Sequence, residues 1–350
     1  MGGSVRLSRD LLTRIPSAYV EYSNTMRPPY QQQAIPLILA TISQPRLSSY
    51  RRFFSPRDDS ELYGLYCWND AISQRFFRTL ALTEIAIRNQ FHTALSTQYG
   101  VVGGPGSKDW YNFLALNKIS ADKIKSVTHR KSHGTYIPRM PAPSPDDVVS
   151  KLTFGFWPHL LDTARDALGA PVPWNSLLPQ ILPGHRQRHP TYWATQAAQD
   201  ALFARIDLCN GLRNRIAHHE PLWKAGDLHT ESRFRSNRPL TVVAPTPTTV
   251  TDALVRLNLV YSRTMELMQW LSPALASSHV VSDAYISFKG LATQSAVDTF
   301  KMLRPVEQFD LGDFKTLRNM KKTLKRTGRH GIPAEFRHNQ SLLGYWISPI

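Results

Sequence analysis

The chain has 350 residues, 42% hydrophobic and 10% aromatic, which is enough to bury a large core and excludes a disordered polymer. Its 42 Lys and Arg exceed its 26 Asp and Glu, and the formal charge of +16 predicts attraction to polyanions, nucleic acid ahead of anionic lipid. The longest apolar run, Ala34 to Ile42, contains Pro36 and falls well short of the roughly 20 residues that cross a bilayer.

No membrane partner is therefore expected. The first turns of the chain carry Arg6, Arg9, Asp10 and Arg14 with no apolar block between them, so the expectation is a cytoplasmic protein without a secretory signal. Cys67 and Cys209 have no CxxC partner, which argues against a disulfide framework or a thiolate zinc cluster and for two small buried side chains.

Residues 1–59 form a basic N-terminal segment, with eight Lys or Arg against four acids, expected to pack partly on the core. From Ser60 to Tyr99 there is no proline. Apolar residues at Leu65, Trp68, Ile72, Phe76, Leu80, Ile87, Phe91 and Leu95 follow helical spacing, and Gly100 is a stop, so one long helix or two joined by a bend is expected. A second helix is expected from about Asp146 to Leu168, interrupted near Gly155 and Pro158. A third runs from Thr195 to His219 and a fourth from Thr249 to Trp270. Between them, Leu240 to Val250 has room for a short edge strand only, because of its prolines. Helix dominates, and the fold class is all-α: a helical domain over 60–272 followed by a basic C-terminal extension over 273–350. Within the extension, 314–327 reads as an amphipathic basic helix. Its Lys321, Lys322, Lys325 and Arg326 suit either a solvated surface or an RNA contact.

The segment richest in chemistry is Gly211-Leu212-Arg213-Asn214-Arg215-Ile216-Ala217-His218-His219-Glu220-Pro221. At about 100° per residue, Arg213 borders the apolar stripe of Leu202, Ile206, Cys209, Leu212 and Ile216. Asn214 and His218 form an i, i+4 pair on its flank, where the amide is expected to brace the imidazole. Attack of an RNA 2′-hydroxyl on its own phosphate needs proton transfer, which imidazole supplies, and donors for the charge on phosphorus, which Arg supplies. It demands neither a metal nor a cofactor. One helix offers one imidazole where the reaction benefits from an acid and a base, so two copies facing across a two-fold axis would complete the site and a homodimer is expected. His219 lies further round and is expected to hold the helix end, with a supporting role open; Glu220 and Pro221 stop the helix.

Leu212 to Pro221 resembles the signature of Abi-like (abortive infection) proteins of the HEPN superfamily. Two other segments are similar to further blocks of that family: Lys151-Leu152-Thr153-Phe154-Gly155-Phe156-Trp157, and Leu82-Thr83-Glu84-Ile85-Ala86-Ile87-Arg88-Asn89. The resemblance covers about 60–270. It implies a HEPN-type helical bundle, metal-independent endoribonuclease activity in a composite dimer site, and a role in bacterial defence against phage or as a toxin. It points to Arg213, Asn214 and His218 as catalytic residues, with an antitoxin protein or RNA as a possible further partner. A rival reading keeps the fold without the chemistry and makes the protein a non-catalytic RNA-binding or partner-binding module.

Glu84 continues the apolar stripe of its helix, so its carboxylate needs a partner; Arg88 or Arg213 is expected to be that partner, and Glu84 would then orient the catalytic arginine. His92, in Arg88-Asn89-Gln90-Phe91-His92, is one residue short of the motif and reads as an ordinary histidine. His129/His133 and His185/His189 have a metal-compatible spacing but lie in stretches broken by Gly and Pro, so no metal site is expected.

Overall fold

The structure is a computed structural model that describes residues 35–100, 107–233 and 240–302, and then 307–310, 319, 320, 322, 325, 334–338 and 341–346. It is mostly helical, with 13 helices among the described residues and small hairpins. In chain order these are α1 (Ile35–Ile42), α2 (Gln44–Phe54), α3 (Asp59–Tyr99), α4 (Lys118–Thr128), α5 (Pro145–Ser150), α6 (Phe156–Leu160), α7 (Trp174–Ile181), α8 (Pro190–Trp193), α9 (Gln196–Ala217), α10 (Val250–Leu271), α11 (Pro273–His279), α12 (Asp283–Leu291) and α13 (Gln294–Met302). The strands are β1 (His129–Ser132), β2 (Thr135–Pro138), β3 (Leu228–His229), β4 (Val242–Ala244), β5 (Glu307–Asp310), β6 (Ala334–His338) and β7 (Ser341–Trp346). Among the described residues no helix is long and apolar enough to cross a membrane.

The chain divides into two compact units, one taking residues up to Ala71 and from Thr293 onward, the other Ile72–Ala292. In the first, Leu47, Tyr50 and Phe54 of α2 and Leu62, Leu65 and Trp68 of α3 are buried, with Phe54 and Trp68 in edge contact at 6.1 Å. Glu61 is buried among them and takes Nε of Arg57 at 2.5 Å and Nζ of Lys301, on α13, at 3.5 Å.

The second unit holds the site. The helix expected from Ser60 to Tyr99 is one unbroken element of 41 residues. It stops at Gly100, where any Cβ would lie 2.5 Å from the Ser96 carbonyl oxygen. Phe76 and Phe91 are both buried, Phe76 against Tyr261 of α10 at 5.0 Å and Phe91 against Trp157 of α6 at 5.8 Å. α9 packs on α6 and α10 through Leu202, Ile206, Cys209 and Leu212. It is also fastened by Arg205, which donates to both oxygens of Glu231 (2.5 and 2.7 Å) and to Glu266 (2.8 Å) and lies 4.6 Å over Trp270. Both cysteines are buried, and burial pushes the Cys67 thiol up to about 12 and the Cys209 thiol to about 11, which leaves neither as a nucleophile.

Several expectations are corrected. The helix expected from Asp146 to Leu168 is interrupted before Gly155 as anticipated, but Pro158 lies inside α6 rather than breaking it, and after Leu161 the chain turns into isolated bridges instead of continuing to Leu168. The edge strand is present but shorter, as β4 paired with β3. The all-α expectation fails at three places: the β1–β2 hairpin, the β3–β4 pair and a C-terminal sheet of order β5-β6-β7, in which β5 and β6 are parallel and β6 and β7 antiparallel. Residues 341–346 cluster Leu342, Leu343, Tyr345 and Trp346, whereas 334–338 has Phe336 alone among charged and small residues, so the sequence gives little strand signal there. Of the helix expected over 314–327, Asn319, Met320, Lys322 and Lys325 are helical and exposed, whereas Lys321 and Arg326 lie outside the described residues.

Candidate functional site

Thr195 caps the start of α9 by accepting the Ala198 amide on its hydroxyl, and the apolar stripe then seats the helix in the core. The C-terminal end is a Schellman turn. The amide of His219 bonds to Ile216 O (2.9 Å), the amide of Glu220 to Arg215 O (2.8 Å), and His219 sits in the left-handed region at φ 54°. Arg215 tightens this turn by donating to Pro221 O at 3.1 Å. The turn leaves His218 and His219 exposed at the helix end, while Arg213 and Asn214, a turn earlier, are half-buried.

Glu84 of α3 stands between two arginines. Its carboxylate lies 3.6 Å from Nη2 of Arg88 and 3.8 Å from Nε of Arg213, with only 14% of its side chain exposed. The partner expected for Glu84 is thus both arginines at once. One negative charge faces two positive ones, so the cluster keeps a net positive charge beside the motif. Nε of Arg88 and Nε of Arg213 are buried and have no hydrogen-bond partner among the described residues. Buried unsatisfied donors are uncommon in folded proteins and mark places where stability has been given up.

Asn214 behaves differently from its expected role. Instead of bracing His218, its amide donates to Oδ1 of Asn210 at 3.4 Å, and its Oδ1 accepts from Nη1 of Arg213 at 3.3 Å. Asn210 precedes Asn214 by one turn on the same face and competes for the same amide. Asn210 is a site residue that the sequence did not single out; its signal was the i, i+4 spacing from Asn214. It is also what Gly155 faces, since a Cβ on Gly155 would lie 3.3 Å from the Asn210 amide. The three segments of the motif resemblance therefore meet in one place: Gly155 against Asn210, Asn210 against Asn214, Asn214 against Arg213, and Arg213 against Glu84.

Phe154, Phe156 and Trp157 are buried, which makes that block core under the site rather than a platform for bases. His92 is a structural histidine. It accepts the Trp110 indole N–H at Nδ1 (2.9 Å), so its Nε2–H points to Asp146 at 3.0 Å. Among the described residues no group of three or more His, Cys, Asp or Glu could hold one metal ion. A cavity of about 570 Å³ lined by Arg75, Arg78, Leu82 and His279, among others, takes in none of Glu84, Arg213, Asn214 and His218. The arrangement around Arg213 is half-buried, with His218 exposed at the helix end. It offers a fixed guanidinium, a positive surplus and an exposed imidazole, the functions that phosphate binding and proton transfer at a phosphodiester require.

No protein-family model matches this chain, and neither the curated proteins nor the solved structures contain a significantly similar one.

Proposed function

We propose that the protein is a HEPN-type endoribonuclease acting in bacterial anti-phage defence or as a toxin, and that it cuts RNA without a metal. The observation that carries the reading is the convergence of Glu84, Arg88, Gly155, Arg213 and Asn214, drawn from three distant segments, beside an exposed His218. In this reaction the 2′-oxygen bonds to phosphorus while the bond from phosphorus to the 5′-oxygen breaks. One His218 takes the 2′-hydroxyl proton, and His218 of a second copy gives a proton to the departing 5′-oxygen. The products are a 2′,3′-cyclic phosphate and a 5′-hydroxyl. Arg213 neutralises charge on the phosphorane oxygens, Asn214 and Glu84 hold Arg213, Arg88 shares Glu84, and His219 shapes the turn that presents His218. The partners are RNA and a second copy of the chain.

The test is cleavage of end-labelled RNA in the presence of EDTA. His218→Ala is expected to lower the rate by at least ~100-fold, the usual contribution of a general acid–base. Cleavage that continues at the unaltered rate in this variant would overturn the mechanism. If the unmodified protein binds RNA but never cuts it, and Arg213→Ala weakens that binding and its salt dependence, the protein is a binding module instead.

A further inference from the structure

The β1–β2 hairpin is the least expected element of the site-bearing unit, and the nuclease reading leaves it without a task. Four residue pairs, from His129↔Pro138 to Ser132↔Thr135, form its ladder, and the turn places His133 (φ 46°) and Gly134 (φ 81°) in the left-handed region, the backbone of a type I′ hairpin. None of the ten residues from His129 to Pro138 is buried. A two-stranded ribbon in water is marginal by itself, so this one contributes little to the core; it is anchored where Arg139 N bonds Thr128 O (2.9 Å) at the end of α4.

Its chemistry is one-sided. Residues 118–139 carry six Lys or Arg against the single acid Asp122. Opposed residues of an antiparallel pair share a face, so Lys131 and Tyr136 lie side by side with His129 on one surface of the ribbon. Lys125 of α4 reaches over the Tyr136 ring, 5.2 Å from its centre, and 46% of Tyr136 is still exposed. An exposed ring between two ammonium groups is the combination that holds single strands, one base stacking on the ring while the flanking phosphates meet the cations. Double-stranded RNA is a poor fit, because the A-form major groove is too narrow for side chains to read. α4 packs on α6, and α6 packs on the motif helix α9, so ribbon and motif belong to one body.

We propose that the β1–β2 hairpin, with Lys125, is a binding surface for single-stranded RNA, stacking one base on Tyr136 and taking adjacent phosphates on Lys125 and Lys131. The proposal rests on the nuclease reading for the identity of the polyanion.

The experiment measures fluorescence anisotropy of a labelled 2′-O-methyl single-stranded RNA, which cannot be cleaved, with the full chain across a salt series. Cleavage of the ordinary RNA is followed in parallel. The Lys131→Glu variant is expected to weaken binding about tenfold and to flatten the dependence of log affinity on log salt by about 0.7 for each phosphate no longer neutralised. Tyr136→Ala is expected to weaken binding about tenfold with the salt dependence unchanged, and Tyr136→Phe to restore it. Because the ribbon lies outside the core, all three variants should melt with the unmodified protein. Hairpin variants that bind and cleave like the unmodified protein would overturn the proposal and leave the nuclease reading intact. Weakened binding in the hairpin variants of a protein that never cleaves would overturn the nuclease reading and leave the hairpin standing. Loss of binding in Lys322→Glu/Lys325→Glu, with the hairpin variants unaffected, would move the RNA surface to the C-terminal extension and also overturn the proposal.

Discussion

Glu84 is where the energetics of single residues bear most directly on the proposed chemistry. A carboxylate with little solvent access is tolerated here because two guanidinium groups face it, and in exchange it restrains both of them. Glu84→Gln keeps the shape and removes the charge. The expected outcome is a roughly tenfold fall in kcat, about 1.4 kcal/mol, with KM little changed, because Arg213 would still be present but less well aimed. Glu84→Asp should recover part of the loss. Steady-state cleavage kinetics with a melting curve for each variant check this; equal losses in Gln and Asp variants that also melt early would reduce Glu84 to a structural role.

At the scale of elements, the end of α9 carries a measurable strain. His219 adopts a left-handed backbone that costs an L-residue roughly 1–2 kcal/mol and glycine almost nothing. His219→Gly is therefore expected to stabilise the protein by up to about 1 kcal/mol, read as a higher urea midpoint at unchanged slope. A lower midpoint would mean that the His219 side chain contributes more than its backbone forfeits. The same helix shows what was legible beforehand. α3, α9 and α10 combine apolar residues at helical intervals with recognisable ends, among them the Thr195 cap and the reciprocal capping box of Thr249 and Asp252, and all three are found within two residues of their expected limits. The need of Glu84 for an arginine partner was legible for the same reason, since its place on the apolar stripe follows from residue number. Elsewhere the signal was absent. α7 forms with Pro179 inside it, against the local preference, because Trp174, Leu177, Leu178 and Ile181 are buried. The β1–β2 ribbon is solvated on both faces, so no apolar alternation announces it. The Asn210–Asn214 contact depended on a choice between two neighbours of one amide, which spacing alone leaves undecided.

For the molecule as a whole, acid sensitivity follows from two buried histidines of the central unit. Burial lowers the pKa of His185, and burial together with the charge of Arg78 lowers that of His279, whose ring nitrogens meet Thr79 at 2.9 Å and Ser282 at 3.2 Å. In the unfolded chain both titrate near ~6.5. Below that value the unfolded state takes up protons that the folded rings refuse. The stabilisation is therefore complete above pH ~6.5 and is lost as pH falls from there toward the folded values. The melting temperature is expected to drop between about pH 7 and pH 5, and His279→Gln should flatten the decline; a melting temperature constant over that interval would contradict the assignment. The grouping of residues before Ala71 with those after Thr293 has a practical corollary. The stripe of Leu62, Leu65 and Trp68 lies in a unit to which both α2 and α13 belong, and Glu61 pairs with Lys301 across it. A fragment trimmed to 60–272, the limits that periodicity alone recommends, would discard both helices and bare an oily strip on α3. Such a fragment should be sticky and self-associating, and a dimer observed with it would say nothing about how two intact chains meet over RNA.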